Sequence, residues 1–169
     1  MFFENYKLVN PVFYIILFFL FSCSGKKKKF HLNEEINYKV VRIVDGDTYV
    51  LEDDNGTKGK IRIIGADTPE TKHPKKGKEP FGLEATEFAK RHLSNKEVQL
   101  TFEKGQKDRY KRILAHVYIK GMHFNKMLID SGMARTKFYA PNFDFKEIFE
   151  TSQKIAKQNK TGIWGMEVK

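Results

Sequence analysis

Apolar residues fall first into one uninterrupted block, Val12 to Phe21, and then into short groups whose spacing changes along the chain. From residue 36 onward the alternation has a period of two, the signature of half-buried strands. It covers Tyr38–Val44, Thr48–Leu51 and Lys60–Ile64, with Asp53-Asp54-Asn55-Gly56 as the turn between the second and third. From Gly82 to Leu93 the period becomes helical, with Phe88, Ala89, His92 and Leu93 on one stripe. Val98–Glu103 and Arg112–Ile119 return to strand, the latter closed by a turn at Lys120-Gly121. Phe124, Met127, Leu128 and Ser131 mark a short helix that stops at Gly132. A last helix, about 145–159, is expected to bury Ile148, Phe149, Ile155 and Ala156, with Ile163 and Trp164 sealing the core behind it. Five strands in two groups with interposed helices predict an α+β chain: a five-stranded OB-fold-like Greek-key barrel with three α-helices.

The first block is different in kind. Ten apolar residues are about half of what spans a bilayer as a helix, so residues 1–22 are read as a signal peptide, with a short membrane anchor as the alternative. The segment ends Leu20-Phe21-Ser22-Cys23, which resembles the bacterial lipoprotein processing box and makes Cys23 the candidate lipidation site. Residues 23–35 then form a Lys-rich tether. Cys23 is the single cysteine, so a mature chain would carry neither thiol nor disulfide, as suits an exported protein whose core suffices. The expected destination is outside the cytoplasm, as a cell-envelope lipoprotein or secreted.

Charge adds a partner. Residues 1–22 hold one Glu and one Lys, so a mature chain keeps the full formal charge of +10, 31 basic residues against 21 acidic. Part of this lies in Lys26–Lys29, beside the anchor, where it would favour an anionic membrane. The rest lies in the body of the chain and points to a polyanion, above all nucleic acid.

Three segments concentrate residues with chemistry to offer: Val44–Thr48 (VDGDT), Ile61–Gly77 (IRIIGADTPETKHPKKG) and Lys107–Ala115 (KDRYKRILA). Asp45 and Asp47 lie two apart at a strand junction, and Asp67 is placed at the close of the third strand, beside them in a meander. Oxygen donors without thiolates or clustered histidines select Ca²⁺ or Mg²⁺ over zinc. The order is not that of an EF-hand, since Tyr49 stands where that loop needs an oxygen and Val50 where it needs glycine. Arg62 and Arg112 sit at strand edges near these acids, where two guanidinium forks could share one phosphate or simply lie on the surface. The remaining histidines (His31, His92, His116 and His123) have no metal or triad spacing and are assigned to packing or surface.

Asp67–Gly77 (DTPETKHPKKG), Asp45–Thr48 (DGDT), Lys104–Ala115 (KGQKDRYKRILA) and the terminal Gly162-Ile163-Trp164 together resemble the staphylococcal nuclease, or thermonuclease, family over about residues 36–165, with 166–169 left as a tail. The resemblance implies a Ca²⁺-dependent phosphodiesterase, binding one ion, that cuts single- and double-stranded DNA and RNA to 3′-phosphate ends, on an OB-type barrel and as a monomer. It makes Asp47 and Asp67 the calcium carboxylates and Thr68 a carbonyl ligand, with Asp45 acting on the ion through water. Glu70 matches the residue proposed as general base, and Arg62 and Arg112 the phosphate-binding arginines. Lys76, Arg109, Tyr110, Leu114 and Tyr139 match positions lining the nucleotide pocket. Two departures stand out: Lys111 and Ile113 replace glycines of the family pattern on either side of Arg112, and only Tyr139 pairs with a pocket tyrosine around Thr136–Asn142.

Overall fold

The computed structural model describes residues 29–71 and 79–166. The expected signal peptide, Cys23, most of the tether and Lys76 lie outside the described residues.

Among the described residues, eight strands and three α-helices follow in the order β1 (Tyr38–Asp45), β2 (Thr48–Glu52), β3 (Lys58–Ile63), β4 (Gly65–Asp67), α1 (Gly82–Leu93), β5 (Glu97–Thr101), β6 (Ile113–Ile119), β7 (Met122–His123), α2 (Phe124–Asp130), β8 (Arg135–Lys137) and α3 (Lys146–Gln158), with a short 3-10 turn at Gly162–Gly165. The sheet runs β3-β2-β1-β5-β6, and β3 pairs with β6 in parallel, so five strands close into a mixed barrel. Closure leaves these strands without a free edge, one way a small β domain avoids edge-to-edge association.

The alternation read in the sequence sets the barrel interior. On β3, Gly59, Ile61 and Ile63 are buried while Lys58 and Lys60 are exposed. Tyr38, Val40, Tyr49, Leu51, Val98, Leu100, Ala115 and Val117 fill the rest of the lumen, and Ala89 and Leu93 of α1 and Phe124, Leu128 and Ile129 of α2 cap it. Tyr49 is fully buried, and its hydroxyl donates to the Gly46 carbonyl, so its polar end is satisfied at the β1–β2 turn that carries Asp47. Asn125, also fully buried, accepts from the Val117 N–H at 3.0 Å and donates to the Ile64 carbonyl at 2.9 Å. It ties α2 to β6 and to the bend between β3 and β4.

Three expectations need correcting. Asp67 does not close the third strand; it sits in β4, which pairs with β8 in a separate two-stranded sheet, because the chain breaks after Ile63 and turns at Gly65 with φ +76°. On α3 the buried positions are Phe149, Ser152 and Ala156, while Ile148 and Ile155 are about half exposed. The apolar stripe is centred one position further on than Ile148 and Ile155, which a 100° step per residue turns outward. Ile163 and Trp164 are buried, but in a small cluster with Ala156 and the half-buried Phe81, apart from the barrel core.

Candidate active site

The tight turn from β1 to β2 brings Asp45 opposite Thr48, and β2–β3 pairing places Thr48 opposite Arg62. Both therefore project at one end of the barrel. Thr68 arrives from the end of β4: its backbone N–H donates to Asp47 Oδ2 at 2.9 Å and its hydroxyl reaches the same oxygen at 3.0 Å. Gly46 makes this approach possible, since a Cβ there would stand 2.7 Å from Thr68 Cγ2. Arg112 is the last residue before β6, immediately ahead of Ile113, which pairs in parallel with Ile61 of β3.

These residues face a cavity of about 140 Å³ lined by Asp45, Asp47, Arg62, Asp67, Thr68, Pro69, Glu70 and Arg112. The guanidinium of Arg62 bridges Asp47 and Asp67, and Lys137 Nζ holds the other oxygen of Asp67 at 2.9 Å. Burial pulls Arg62 below the usual arginine range against the attraction of Asp67. Burial also raises the Asp45 carboxyl, opposed by a hydrogen bond from Thr48 and by the charges of Arg62, Arg112 and Lys60. Glu70 also lines the cavity, its N–H on Glu79 Oε2 at 3.0 Å and its carbonyl accepting from the Glu79 N–H at 2.8 Å, so residues 70 and 79 are held together.

Arg112 is oriented by Asp108. One oxygen of Asp108 takes the Arg112 Nε–H at 2.7 Å, and the other takes the backbone N–H of Arg112 and of Tyr110, each at 2.9 Å. Burial would raise Asp108, but these bonds outweigh it and hold the carboxyl below its ordinary range. Arg112 Nη1 then reaches toward Thr48 Oγ1 at 3.4 Å.

A second, larger cavity of about 580 Å³ shares Arg62, Asp67 and Arg112 with the first and extends to Arg109, Tyr110, Leu114 and Tyr139. The structure thus brings together every described member of the expected constellation: Asp45, Asp47, Arg62, Asp67, Thr68, Glu70 and Arg112 in one cavity, and the four pocket residues in its neighbour. Tyr110 and Tyr139 are each about two-thirds exposed, with Arg109 over the Tyr110 ring at 4.7 Å and Lys137 over Tyr139 at 5.9 Å. Sequence reasoning picked out Asp108 without giving it a role and missed Lys107, Lys137 and Asn142. Asp108 carried a signal, an acid four residues before Arg112 within one short loop. Asn142, whose side chain clamps both backbone groups of Gly105 at 2.8 Å, and Lys137, delivered by the unforeseen β8, carried none.

The sequence profile of staphylococcal nuclease homologues matches residues 60–166. The chain belongs to the staphylococcal nuclease family. Membership makes it a nuclease-type hydrolase on a closed five-stranded barrel with three helices. It is similar to the thermonuclease of Staphylococcus hyicus, 46% identical over 130 residues that cover 77% of this chain and 76% of that one. The thermonuclease of Staphylococcus intermedius is 41% identical over 128 residues, 76% of each chain. Endonuclease YncB of Bacillus subtilis (strain 168) is 36% identical over 131 residues, 76% of this chain and 62% of its own.

The donors at the smaller cavity suit a hard cation. They are oxygens alone, and Asp47 and Asp67 converge closely enough for one cationic group, the Arg62 guanidinium, to bridge them. Among the described residues no three His, Cys, Asp or Glu side chains form a closed ligand set, so an ion here would be held by few protein ligands. No helix of the described residues is long and apolar enough to cross a membrane.

Proposed function

We propose that the protein is a Ca²⁺-dependent endonuclease that hydrolyses DNA and RNA with little sequence preference and leaves 3′-phosphate ends. One observation carries the reading: Arg62 of β3, Arg112 from the loop entering β6, three aspartates and Glu70 line a single small cavity that opens onto a basic, tyrosine-flanked pocket. Asp47, Asp67 and the Thr68 carbonyl would hold the ion, with Asp45 behind them. When bound, the ion supplies positive charge where the phosphoryl oxygens become more negative. Arg62 and Arg112 bind the non-bridging oxygens of the scissile phosphate and hold that charge through the transition state. Glu70 orients a water for in-line attack and takes its proton. Asp108 keeps the Arg112 fork aimed. Tyr110 and Tyr139 offer flat faces that any base can stack on, and phosphate contacts carry no sequence information, so selectivity should be loose. Lys76, which lies between Glu70 and Glu79 in the sequence, would meet the rest of the strand.

Export belongs to the same reading: residues 1–22 as a signal peptide, lipidation at Cys23, a tether to residue 35 and the nuclease domain over 36–165, acting as a monomer outside the cytoplasm. Few protein ligands predict calcium affinity in the range of about 10⁻⁴–10⁻³ M, which extracellular calcium satisfies. The test is release of acid-soluble nucleotides from heat-denatured DNA with millimolar Ca²⁺ and again with a chelator. Calcium-dependent release ending in 3′-phosphates is expected. DNA bound but uncut in both conditions would sink the enzyme reading in favour of a binding module.

A further inference from the structure

The barrel carries a charged face that the reaction cavity does not use. On β3 the core takes Gly59, Ile61 and Ile63, leaving Lys58, Lys60 and Arg62 in a row on the outer side. Residues two apart on a strand stand about 6.6–6.8 Å apart, comparable with successive phosphates along an extended polynucleotide. The register carries the row sideways: Lys60 lies opposite Val50 on β2, and Val50 opposite Arg42 on β1. Lys58, Lys60 and Arg42 are exposed.

This face is continuous with the site. Lys60 stands two residues before Arg62 on the same side of β3, and Arg62 lines both cavities. The anions near it are few. Glu52 faces Lys58 across the strand pair, 3.8 Å away and with most of the Lys58 side chain still in solvent. One row further, Lys39 lies opposite Glu52 on one side and Glu97 on the other, which marks where the positive surplus ends.

We propose that the polynucleotide leaves the cavity across this face, with Lys60 and then Lys58 and Arg42 holding phosphates beyond the scissile one. This rests on the nuclease reading and adds to it a direction for the strand and three positioning residues. Because they touch only phosphates distant from the reacting bond, they act on the affinity of long substrates and leave a dinucleotide unaffected.

The experiment measures binding of a fluorescent single-stranded 20-mer to the full chain, in chelator, across about 50–200 mM salt. It compares wild type, the triple variant K58Q/K60Q/R42Q, and the control K154Q on the exposed side of α3. At about 0.7 counterions per phosphate contact, the triple variant should lower the slope of log K against log salt by about 2 while K154Q leaves it unchanged. In calcium, the triple variant should raise KM for long DNA and leave kcat and the cleavage of a dinucleotide as in wild type. An unchanged slope in the triple variant, or an equal fall in K154Q, overturns the proposal. So does a triple variant that loses binding to phosphatidylserine vesicles but not to the oligonucleotide, which would make the face a membrane surface. A wild-type protein that binds but never cuts would sink the nuclease reading while leaving the slope comparison to decide the path of the strand.

Discussion

Lys111 takes a left-handed backbone, φ +63°, in the turn between Asp108 and Arg112, a conformation that costs a side chain about 1–2 kcal/mol relative to glycine. The turn persists because Asp108 accepts three N–H groups across it. Lys111→Gly should therefore raise unfolding stability by about 1 kcal/mol in urea titrations, tempered by the entropy glycine adds to the unfolded chain. A lower stability would show that the Lys111 side chain makes a contact worth more than the strain. The buried His116 and the half-buried His123 set a second residue-level expectation. His116 Nε2 lies 2.7 Å from Glu103 Oε1, while its Nδ1 faces His123 Nε2 at 3.1 Å and Asn125 Nδ2 at 3.3 Å. Neutral His116 with the proton on Nε2 satisfies all three; a second proton on Nδ1 would confront two donors. Burial accordingly pushes His116 down to about 4 against the pull of Asp144, and burial with the charges of His116 and Lys126 takes His123 to about 3. The unfolded chain takes up these protons near the ordinary 6.5, the fold only below about 4, so stability is full above 6.5 and falls as the pH drops. The slope is up to about 1.4 kcal/mol per pH unit for each histidine held neutral. Unfolding titrations from pH 7 to 5 should show this decline, and His123→Phe should make it shallower; a flat wild-type profile would contradict it.

Among the elements, the strands of the barrel were legible because closure leaves each with one buried and one wet face, and a period of two records that division. Helices α1 and α2 were legible for the same reason at a period of 3.6. The phase of α3 was not: Ser152 is buried in the middle of its inner face and two isoleucines lie outside, so hydrophobicity alone pointed about one residue astray. Sheet β4–β8 was also hidden, since strands of three residues hold too few positions to show alternation. The ends of α2 and α3 meet backbone to backbone, which no sequence pattern announces. The Ile163 N–H donates to the Gly132 carbonyl at 2.9 Å, and a Cβ on Gly132 would stand 2.1 Å from the Thr161 oxygen. With φ at +65° as well, Gly132→Ala should cost on the order of 2–4 kcal/mol by urea unfolding. Gly121→Ala, at φ +76° with nothing within 4 Å, should cost only about 1 kcal/mol. Equal losses would mean that the contact between the two helix ends carries no weight.

At the scale of the molecule, the barrel explains why residues from three distant segments meet. The turn after β1, the chain after β3 and the approach to β6 all open at one end of the barrel, and β3–β6 pairing sets Arg62 beside Leu114, two residues beyond Arg112. The motifs were legible as chemistry because acids, arginines and a Thr-Pro turn are rarely ordered this way by packing alone. Of the supports of the site, Asp108 was visible as an acid near Arg112 but not its role, and Lys137 and Asn142 were not visible, since all three act only through neighbours that folding supplies. The proposed chemistry depends most directly on Arg112, which Asp108 aims into the carboxylate-lined cavity. The decisive measurement is kcat of Arg112→Ala on heat-denatured DNA in millimolar Ca²⁺, with folding checked by thermal melt. A fall of about 10³-fold or more is expected, as for loss of a transition-state charge partner. A variant within about tenfold of wild type would contradict the claim that Arg112 stabilises the reacting phosphate.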